Sequence, residues 1–409
     1  MNPAGRRAAL LSVALLVGVV PALVACTGGG GGAATSPAAV TVGLLAAGQG
    51  DALHGAELAV DVVNANYPEL RLPLGPEIGL SGGTKVVLAA ADSKGDAAGA
   101  GQAAEQLVRQ SHSAGVVVAD SADVVKAASQ RAEDAVFPLV DAYSSADFLG
   151  DLGREWYFRL GPTDRMLLGT AFDVMRQGTA PVEQGAARRA VVLEGASGQA
   201  TGGIQDLAGI AETRRFAVPG RFQVSQGSNP AELADKVSAQ KPDAVLAIVG
   251  TDTEAAVVND TVQRLKNPVP VVAIGRGVAG LGAVAGARPV LRTVGWSPDF
   301  AARSPVAKAV ADLYQRRYGA AMSDLAAAAF TATLTMAVAI DRVSGTGPAQ
   351  IRAALRSLWL PATETIMPWD GVRFGPGGQN ELAGGVVEQR SATGAFQVVF
   401  PRELAPRPS

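Results

Sequence analysis

The sequence predicts an α/β protein of two lobes, each a parallel sheet flanked by helices, with a hinge of crossing segments between them. Three observations lead there. Short apolar runs alternate with amphipathic stretches at helical spacing, the pattern of parallel strands joined by crossover helices. The rhythm occurs twice, with Gly161-Pro162 between the two runs. It then gives way to Ala-rich helical stretches and a β-like end, so the chain crosses between lobes more than once. In open α/β sheets ligands sit beyond the carboxyl ends of the strands. Two facing lobes therefore enclose a cleft that closes by hinge motion.

The first run opens with a strand at 40–45. The helix at 51–66 carries Leu53, Ala56, Ala59, Val60 and Val63 on one face and stops at an Asn-rich end. A strand at 85–91, a helix at 97–110, a strand at 115–119, a helix at 122–134 and a strand at 137–140 follow. A short strand at 156–160 leads to the crossing at Gly161-Pro162. The second run reads strand 190–193, helix 200–212, strand 221–224, helix 230–239, strand 244–249, helix 254–265 and strand 270–274. A strand at 291–294 precedes helices at 304–318, 325–343 and 348–357. The end is β-like: 372–374, the turn Gly375-Pro-Gly-Gly378, then 384–389 and 395–400. The expected organisation is lobe 1 from 40–161 plus 296–366 and lobe 2 from 162–295 plus 367–403.

Ahead of this body, an apolar run follows Arg6-Arg7 and closes on Leu23-Val24-Ala25-Cys26, at the only cysteine in 409 residues. A basic start, an apolar middle and a small residue before cysteine resemble a bacterial lipoprotein signal over 1–25. On that reading Cys26 heads the mature protein and carries a diacylglyceryl group, and two acyl chains hold a protein stably on a membrane. The run at 8–25 falls short of the ~20 apolar residues of a span, and Pro21 interrupts it. A twin-arginine export signal has only the Arg pair in its favour. Residues 26–39 are small and form a tether reaching about 20 Å as a coil. The body is thus expected on the extracytoplasmic face of the cell membrane.

Composition narrows the function. A net charge of −2 offers no basic stripe for nucleic acid. The lone cysteine leaves no intramolecular disulfide, and the 48% apolar content is enough to fill two cores. His54 and His112 read as solvated helix residues without metal-ligand spacing around them. Gly275-Arg-Gly-Val-Ala-Gly280 matches G-x-G-x-x-G but lies late in the chain and opens no helix, so no dinucleotide is expected. Gly195-Ala-Ser-Gly198 lacks the nucleophile-elbow pattern and has no histidine near it. The reading is a monomeric, non-enzymatic protein without cofactor or metal.

Several stretches, in order and spacing, resemble one family across nearly all of 40–400. His54-Gly-Ala-Glu-Leu-Ala-Val60 with Val63-Asn64 is similar to its first helix, and 85–92 to its second strand ending in Asp. Phe137-Pro-Leu-Val140, Tyr157-Phe-Arg159 with Pro162-Thr163-Asp164, and Phe374-Gly-Pro-Gly-Gly378 are similar to a core strand, the lobe crossing and a terminal hairpin. The body resembles the type I periplasmic solute-binding proteins of ABC importers, in the branched-chain amino acid and amide-binding group. The resemblance implies that strand-end residues of lobe 1 clamp the ligand with hydroxyls and backbone N–H groups, at Asp120-Ser121-Ala122-Asp123 and Asp141-Ala-Tyr-Ser-Ser145. Asp120, Ser121, Tyr143, Ser144 and Ser145 are the candidates there. Hydroxyls donate to an anion without adding charge. For Ser121 an N-cap role is equally open.

Lobe 2 departs from the family. Gln199 falls near the position where amino-acid binders carry a tyrosine, and Thr251 and Asp252 follow the strand at 244–249. Where the family places an acid for the ligand ammonium, Gly275 is followed by Arg276. Arginine prefers a carboxylate, a phosphate or a planar acceptor, so either Asp120, Asp141 or Asp252 replaces the acid or the ligand is anionic. Arg276 on the cleft rim is the other possibility. Trp296 is read as hinge packing or as a stacking surface, and the short loop at 46–53 is expected to donate few contacts. The function implied is capture of a small polar ligand (an amino acid, amide or small organic acid) and delivery to ABC permease subunits. The alternative is a sensing or scaffold lipoprotein of the same fold.

Overall fold

The structure, a computed structural model, describes residues 39–48, 50–177, 188–195, 206–267, 269–275, 281, 290–343, 345–390 and 395–405. The first run is β1 (Ala39–Ala46), α1 (Asp51–Asn64), β2 (Lys85–Asp92), α2 (Ala97–Arg109), β3 (Ser113–Ala119), α3 (Ala122–Ala135), β4 (Leu139–Asp141) and β5 (Tyr157–Arg159). Its strands pair in parallel in the order β2-β1-β3-β4-β5. Every residue of β3 is buried, because helices cover both faces of a parallel sheet.

The second run is α4 (Asp164–Gln177), β6 (Ala190–Gly195), α5 (Leu207–Thr213), β7 (Arg221–Val224), α6 (Pro230–Ala239), β8 (Ala244–Ile248), α7 (Asp252–Gln263), β9 (Val271–Ile274) and β10 (Val290–Val294). The chain continues with α8 (Pro298–Ala301), α9 (Pro305–Tyr318), α10 (Asp324–Asp341), α11 (Pro348–Arg356), β11 (Trp359–Pro361), β12 (Gly371–Arg373), β13 (Val386–Arg390) and β14 (Phe396–Phe400). The second sheet runs β14-β13-β10-β9-β8-β6-β7, antiparallel only at the β10-β13-β14 edge. Both sheets lie within one unit, residues 37–409.

Helix starts follow local chemistry. Ser121, Asn229, Ser304 and Ser323 cap α3, α6, α9 and α10 through their side chains, with proline at the first turn of α6 and α9. Thr251 and Glu254 form a reciprocal capping box, which starts α7 two residues before the expected 254. The helix from 51 ends at Asn64, with Ala65 extended, and Pro68 follows close behind.

α10 is the spine of the first core. Every residue from Ala326 to Ile340 is buried, and Thr331 and Thr335 satisfy their hydroxyls on carbonyls one turn back, 2.8 and 2.7 Å away. Among the described residues it is the one helix long and apolar enough to cross a membrane, but its surface is covered by the protein itself. α1 lies against it so closely that a Cβ on Gly55 would sit 2.1 Å from the carbonyl oxygen of Ala326.

Three features differ from the sequence reading. α4 was not anticipated; its Leu168, Ala171, Phe172 and Met175 are fully buried in the second core. His54 is not a solvated residue, since its ring stacks on Tyr318 at 4.1 Å. His112 is exposed but lies in the α2–β3 turn at φ 54°, outside any helix. Val372 and Phe374 also pack into the first core.

The contact at Gly55 sets a test. Gly55→Val is expected to force α1 from α10 and destabilise the fold by about 1–3 kcal/mol. A thermal melt unchanged from the parent would show that the two helices part without cost.

Candidate functional site

Asp141 ends β4 and organises the loop after it. Its carboxylate is fully buried and accepts the N–H groups of Tyr143 (3.0 Å) and Ser144 (2.9 Å) and the Tyr157 hydroxyl (2.8 Å). Burial pushes this carboxyl up from its ordinary value, and the Ser144 N–H and the Arg159 charge pull against that rise. Burial likewise raises the Tyr157 hydroxyl well above its usual range. With the Asp164 N–H donating to the Ser145 carbonyl at 2.7 Å, residues 142–145 are fixed at the carboxyl end of the first sheet.

That loop forms one wall of a cavity of about 410 Å³ between the two sheets. Asp51 at the start of α1 and Ser323, Asp324 and Leu325 at the start of α10 join Tyr143 and Ser145 on the first-sheet side. The second sheet contributes Gly275 at the end of β9, Arg292 to Val294 of β10, and Glu388 of β13. Gly275 sits at φ +105°, and a Cβ there would lie 2.2 Å from the Val249 carbonyl oxygen, so only glycine lets the chain turn at this wall.

The crossing segments close the back. The Trp296 indole N–H donates to the Ile366 carbonyl (2.9 Å), and the Trp369 indole N–H donates to the Gly295 carbonyl (3.1 Å). Trp296 is buried, so its packing role holds, and its edge also lines the cavity. Asn380, wholly buried, donates to the carbonyls of Leu160 and Gly371 at 3.1 Å each, and Gln379 donates to the Gly161 carbonyl at 3.0 Å.

Charge in the cavity is uneven. Arg292 pairs with Glu388 at 2.9 Å, the acid being 1% exposed, and the Ser297 hydroxyl donates to the other Glu388 oxygen. The Arg292 guanidinium also lies 3.2 Å over the Phe396 ring. The second-sheet pair is thus self-neutralising. Asp51 and Asp324 lie on the opposite wall. Tyr314 donates to Asp51 at 3.3 Å, and burial followed by that acid's charge pushes the phenol up to about 12. Thr293 lines the cavity with a buried hydroxyl that has no hydrogen-bond partner.

The candidates from sequence divide into three groups. Tyr143 and Ser145 line the cavity. Ser144 is buried beside it, with its hydroxyl unpartnered. Ser121 caps α3, accepting the Val124 N–H at 3.5 Å, and Asp120 accepts the Ser93 hydroxyl and the Ser121 N–H. Thr251 caps α7 and Asp252 is exposed in its first turn. None of these last four lines the cavity. Gln199, Arg276 and Cys26 lie outside the described residues. Of the acids offered as substitutes, Asp141 is spent on its loop; the acids that do reach the cavity are Asp51, Asp324 and Glu388. The short loop at 46–53 still delivers Asp51.

A family profile described as periplasmic binding protein matches residues 39–392. The chain belongs to the periplasmic binding protein family. This periplasmic binding protein has the type I fold, as its solved neighbours show. A substrate-binding protein of an ABC transporter from Desulfitobacterium hafniense, solved with leucine, superposes with a TM-score of 0.71 at 20% identity over 88% of this chain and 99% of its own. LivJ from Streptococcus pneumoniae, solved with isoleucine, gives 0.65 at 19% identity over 88% and 99%. A solute-binding protein from R. palustris, solved with benzoate, gives 0.65 at 14% identity over 88% and 95%. No curated protein matches the chain in sequence.

Asp141 yields a test with a sign. Because its folded pKa lies above the ordinary 3.8, its contribution to stability is fully present below that value and is lost as pH rises through the folded pKa. Asp141→Asn keeps an acceptor for the two N–H groups and removes the buried charge, so its stability relative to the parent should grow as pH rises through that window. Asp141→Ala orphans three donors and should cost about 2–4 kcal/mol. Denaturant melts of the three proteins from pH 3 to pH 7 decide it; parallel curves for parent and Asn variant would refute the assignment.

Proposed function

We propose that this periplasmic binding protein captures a small polar solute between its lobes and presents it to the permease of an ABC importer. The observation that carries the reading is the cavity of about 410 Å³, walled by the carboxyl ends of both sheets and closed behind by the crossing segments. Its size suits a metabolite of amino-acid dimensions. Asp51 and Asp324 favour a ligand bearing an ammonium group, and the unpartnered Thr293 hydroxyl and the fixed Ser145 offer hydrogen bonds to its other end. Solved neighbours carry leucine, isoleucine and benzoate, which supports an amino acid or small organic acid as the class to try first. Lobe 1 is taken as 40–161 plus 296–366 and lobe 2 as 162–295 plus 367–403. Ser121, Ser144, Thr251, Asp252, Gln199 and Arg276 are read as groups that meet the ligand on closure.

A thermal-shift screen of amino acids, amides and small carboxylates tests the reading, since a ligand at a hundred times its Kd stabilises by about 2.7 kcal/mol. At least one class should raise the midpoint, and Asp324→Asn should weaken an ammonium-bearing ligand about tenfold or more. No stabilisation by any class would overturn solute capture.

The lipid anchor at Cys26 belongs to the same proposal: a tethered receptor meets its permease at raised local concentration. Cys26→Ser should move the protein from the membrane fraction to the soluble one. Retention on membranes would refute anchoring through this sulfur.

A further inference from the structure

A second cavity, also about 410 Å³, lies at the amino end of β5 and is lined by Arg154, Arg352 and Arg356. The opposite end of the same strand feeds Gly161 and Pro162 into the inter-sheet cavity. The two spaces therefore stand at opposite ends of the first sheet, and the chemistry of the second is independent of what the first one binds.

On its wall, arginines outnumber acids. Glu155, the one acid on its wall among the described residues, pairs with Arg352. Arg356 donates to the carbonyls of Pro376 (2.9 Å) and Glu155 (3.3 Å) and lies 5.8 Å from the Phe158 ring centre. Arg154 donates to the Lys126 carbonyl (2.7 Å), the Ser129 hydroxyl and the Gln130 side-chain oxygen (3.1 Å). Every one of these partners of Arg154 and Arg356 is neutral. The carboxylates that act on Arg154 through space, Glu133 and Asp134, lie off the pocket wall; Glu133 accepts the Trp156 N–H at 2.6 Å and Asp134 the Gln130 amide at 3.1 Å. Burial pulls the Arg154 guanidinium down from its ordinary value, and the Glu133 charge pulls against that fall.

Geometry favours a ligand over a solvated face. The neutral bonds and the ring contacts, including Arg352 4.7 Å from the Trp156 ring centre, hold the three guanidiniums in place before anything binds, which lowers the ordering cost of a complex. The rest of the wall is largely glycine, and at Gly153 and Gly377 an added Cβ would meet nothing within 4 Å. Arginines acting only as staples would consume part of their five N–H groups and would leave no reason for an open, side-chain-free space between them.

We propose that this pocket is a second binding site, taking a phosphate-type oxyanion held by the forks of Arg154, Arg352 and Arg356. Planar guanidinium forks match the oxygen spacing of such an anion. The phosphate can belong to a free solute as a monoester or to a lipid headgroup as a diester.

Isothermal titration of the purified chain, at constant ionic strength, with inorganic phosphate, glycerol 3-phosphate and water-soluble dihexanoyl phosphatidylglycerol tests the site. Saturable binding is expected for at least one of them. A preference for inorganic phosphate or the monoester assigns the site to solutes, and a preference for the diester assigns it to lipid. The double variant Arg154→Gln/Arg356→Gln should weaken binding at least about tenfold. Should that variant fail to fold, Glu155→Gln supplies the test: Glu155 is 66% exposed, and removing its charge frees Arg352 and should tighten binding. Absence of saturable binding by all three compounds, undiminished affinity in a folded double variant, or unchanged affinity in Glu155→Gln would overturn the proposal.

Discussion

The buried amide of Asn380 is the contact on which the two-lobed architecture depends. Its NH₂ donates to Leu160 on the outgoing crossing and to Gly371 on the returning ribbon, and its oxygen accepts the N–H groups of Arg373 (2.9 Å) and Leu382 (3.1 Å). Arg159, almost fully buried, adds bonds from its guanidinium to Gln379 and the Ala146 carbonyl, both 2.5 Å, and its backbone brackets the same hairpin. Separating these segments would orphan several buried polar groups, each costing about 1–3 kcal/mol. The two tryptophan N–H bonds tie the remaining crossings to each other. The back of the cavity is therefore the fixed part of the molecule, and any opening has to occur at the front, where the strand-end loops of the two sheets face one another.

That constraint explains where the cavity's charges sit. α1 and α10 pack side by side, Gly55 against Ala326 near both starts, so both amino termini point their partial positive charge at one wall. Asp51 and Asp324, each in a first helical turn, are carboxylates placed where the helix ends stabilise them. The facing wall needs a different solution. Glu388 lies on a buried strand and is held by Arg292 and by Ser297, the residue that caps α8. A buried pair of this kind adds little net stability but fixes its two partners in position. The ligand space is thus bounded by acids on one side and a closed ion pair on the other.

Much of this architecture was legible in the chain. The alternation of strand and helix shows in single residues: β3 is Ser-Ala-Gly followed by three valines and an alanine, and α6 carries its Asn229 cap and Pro230 start openly. The family resemblance rested on segments such as Tyr157-Phe-Arg159, whose arginine proved to be part of the crossing knot. α4 was hidden because it comes directly after Gly161-Pro162 and carries Gly169 mid-helix, so its apolar face reads as loop. The site was less legible. Asp51, Asp324 and Glu388 lie in three distant stretches, and only the pairing of β10 with β13 and of α1 with α10 brings them to one space. Glu388 even violates the apolar pattern of its strand, a signal that a buried acid has a partner. Ser121 and Thr251 cap their helices, and a capping hydroxyl and a binding hydroxyl occupy the same place at a strand-to-helix turn, so sequence alone does not separate the two roles.

The knot also bears on how the two cavities relate. β5 is three residues long, so roughly 10 Å of strand separates its amino end at the basic pocket from its carboxyl end at the cleft. Such proximity would ordinarily couple two sites. Here the strand between them is anchored: Arg159 and Leu160 are buried and bonded to Gln379 and Asn380 on the hairpin whose turn, Pro376-Gly377, forms a wall of the basic pocket. Rotation of the lobes about this fixed point moves the front loops most and the knot least. The arginine pocket is attached to the knot, so its shape is expected to change little on closure. A ligand in one cavity then has no differential contact with the open and closed states through the other, and without such a difference there is no coupling free energy. On the two proposed readings, solute capture and anion binding are expected to act additively, because the crossing segments that frame the cleft also frame the arginine pocket.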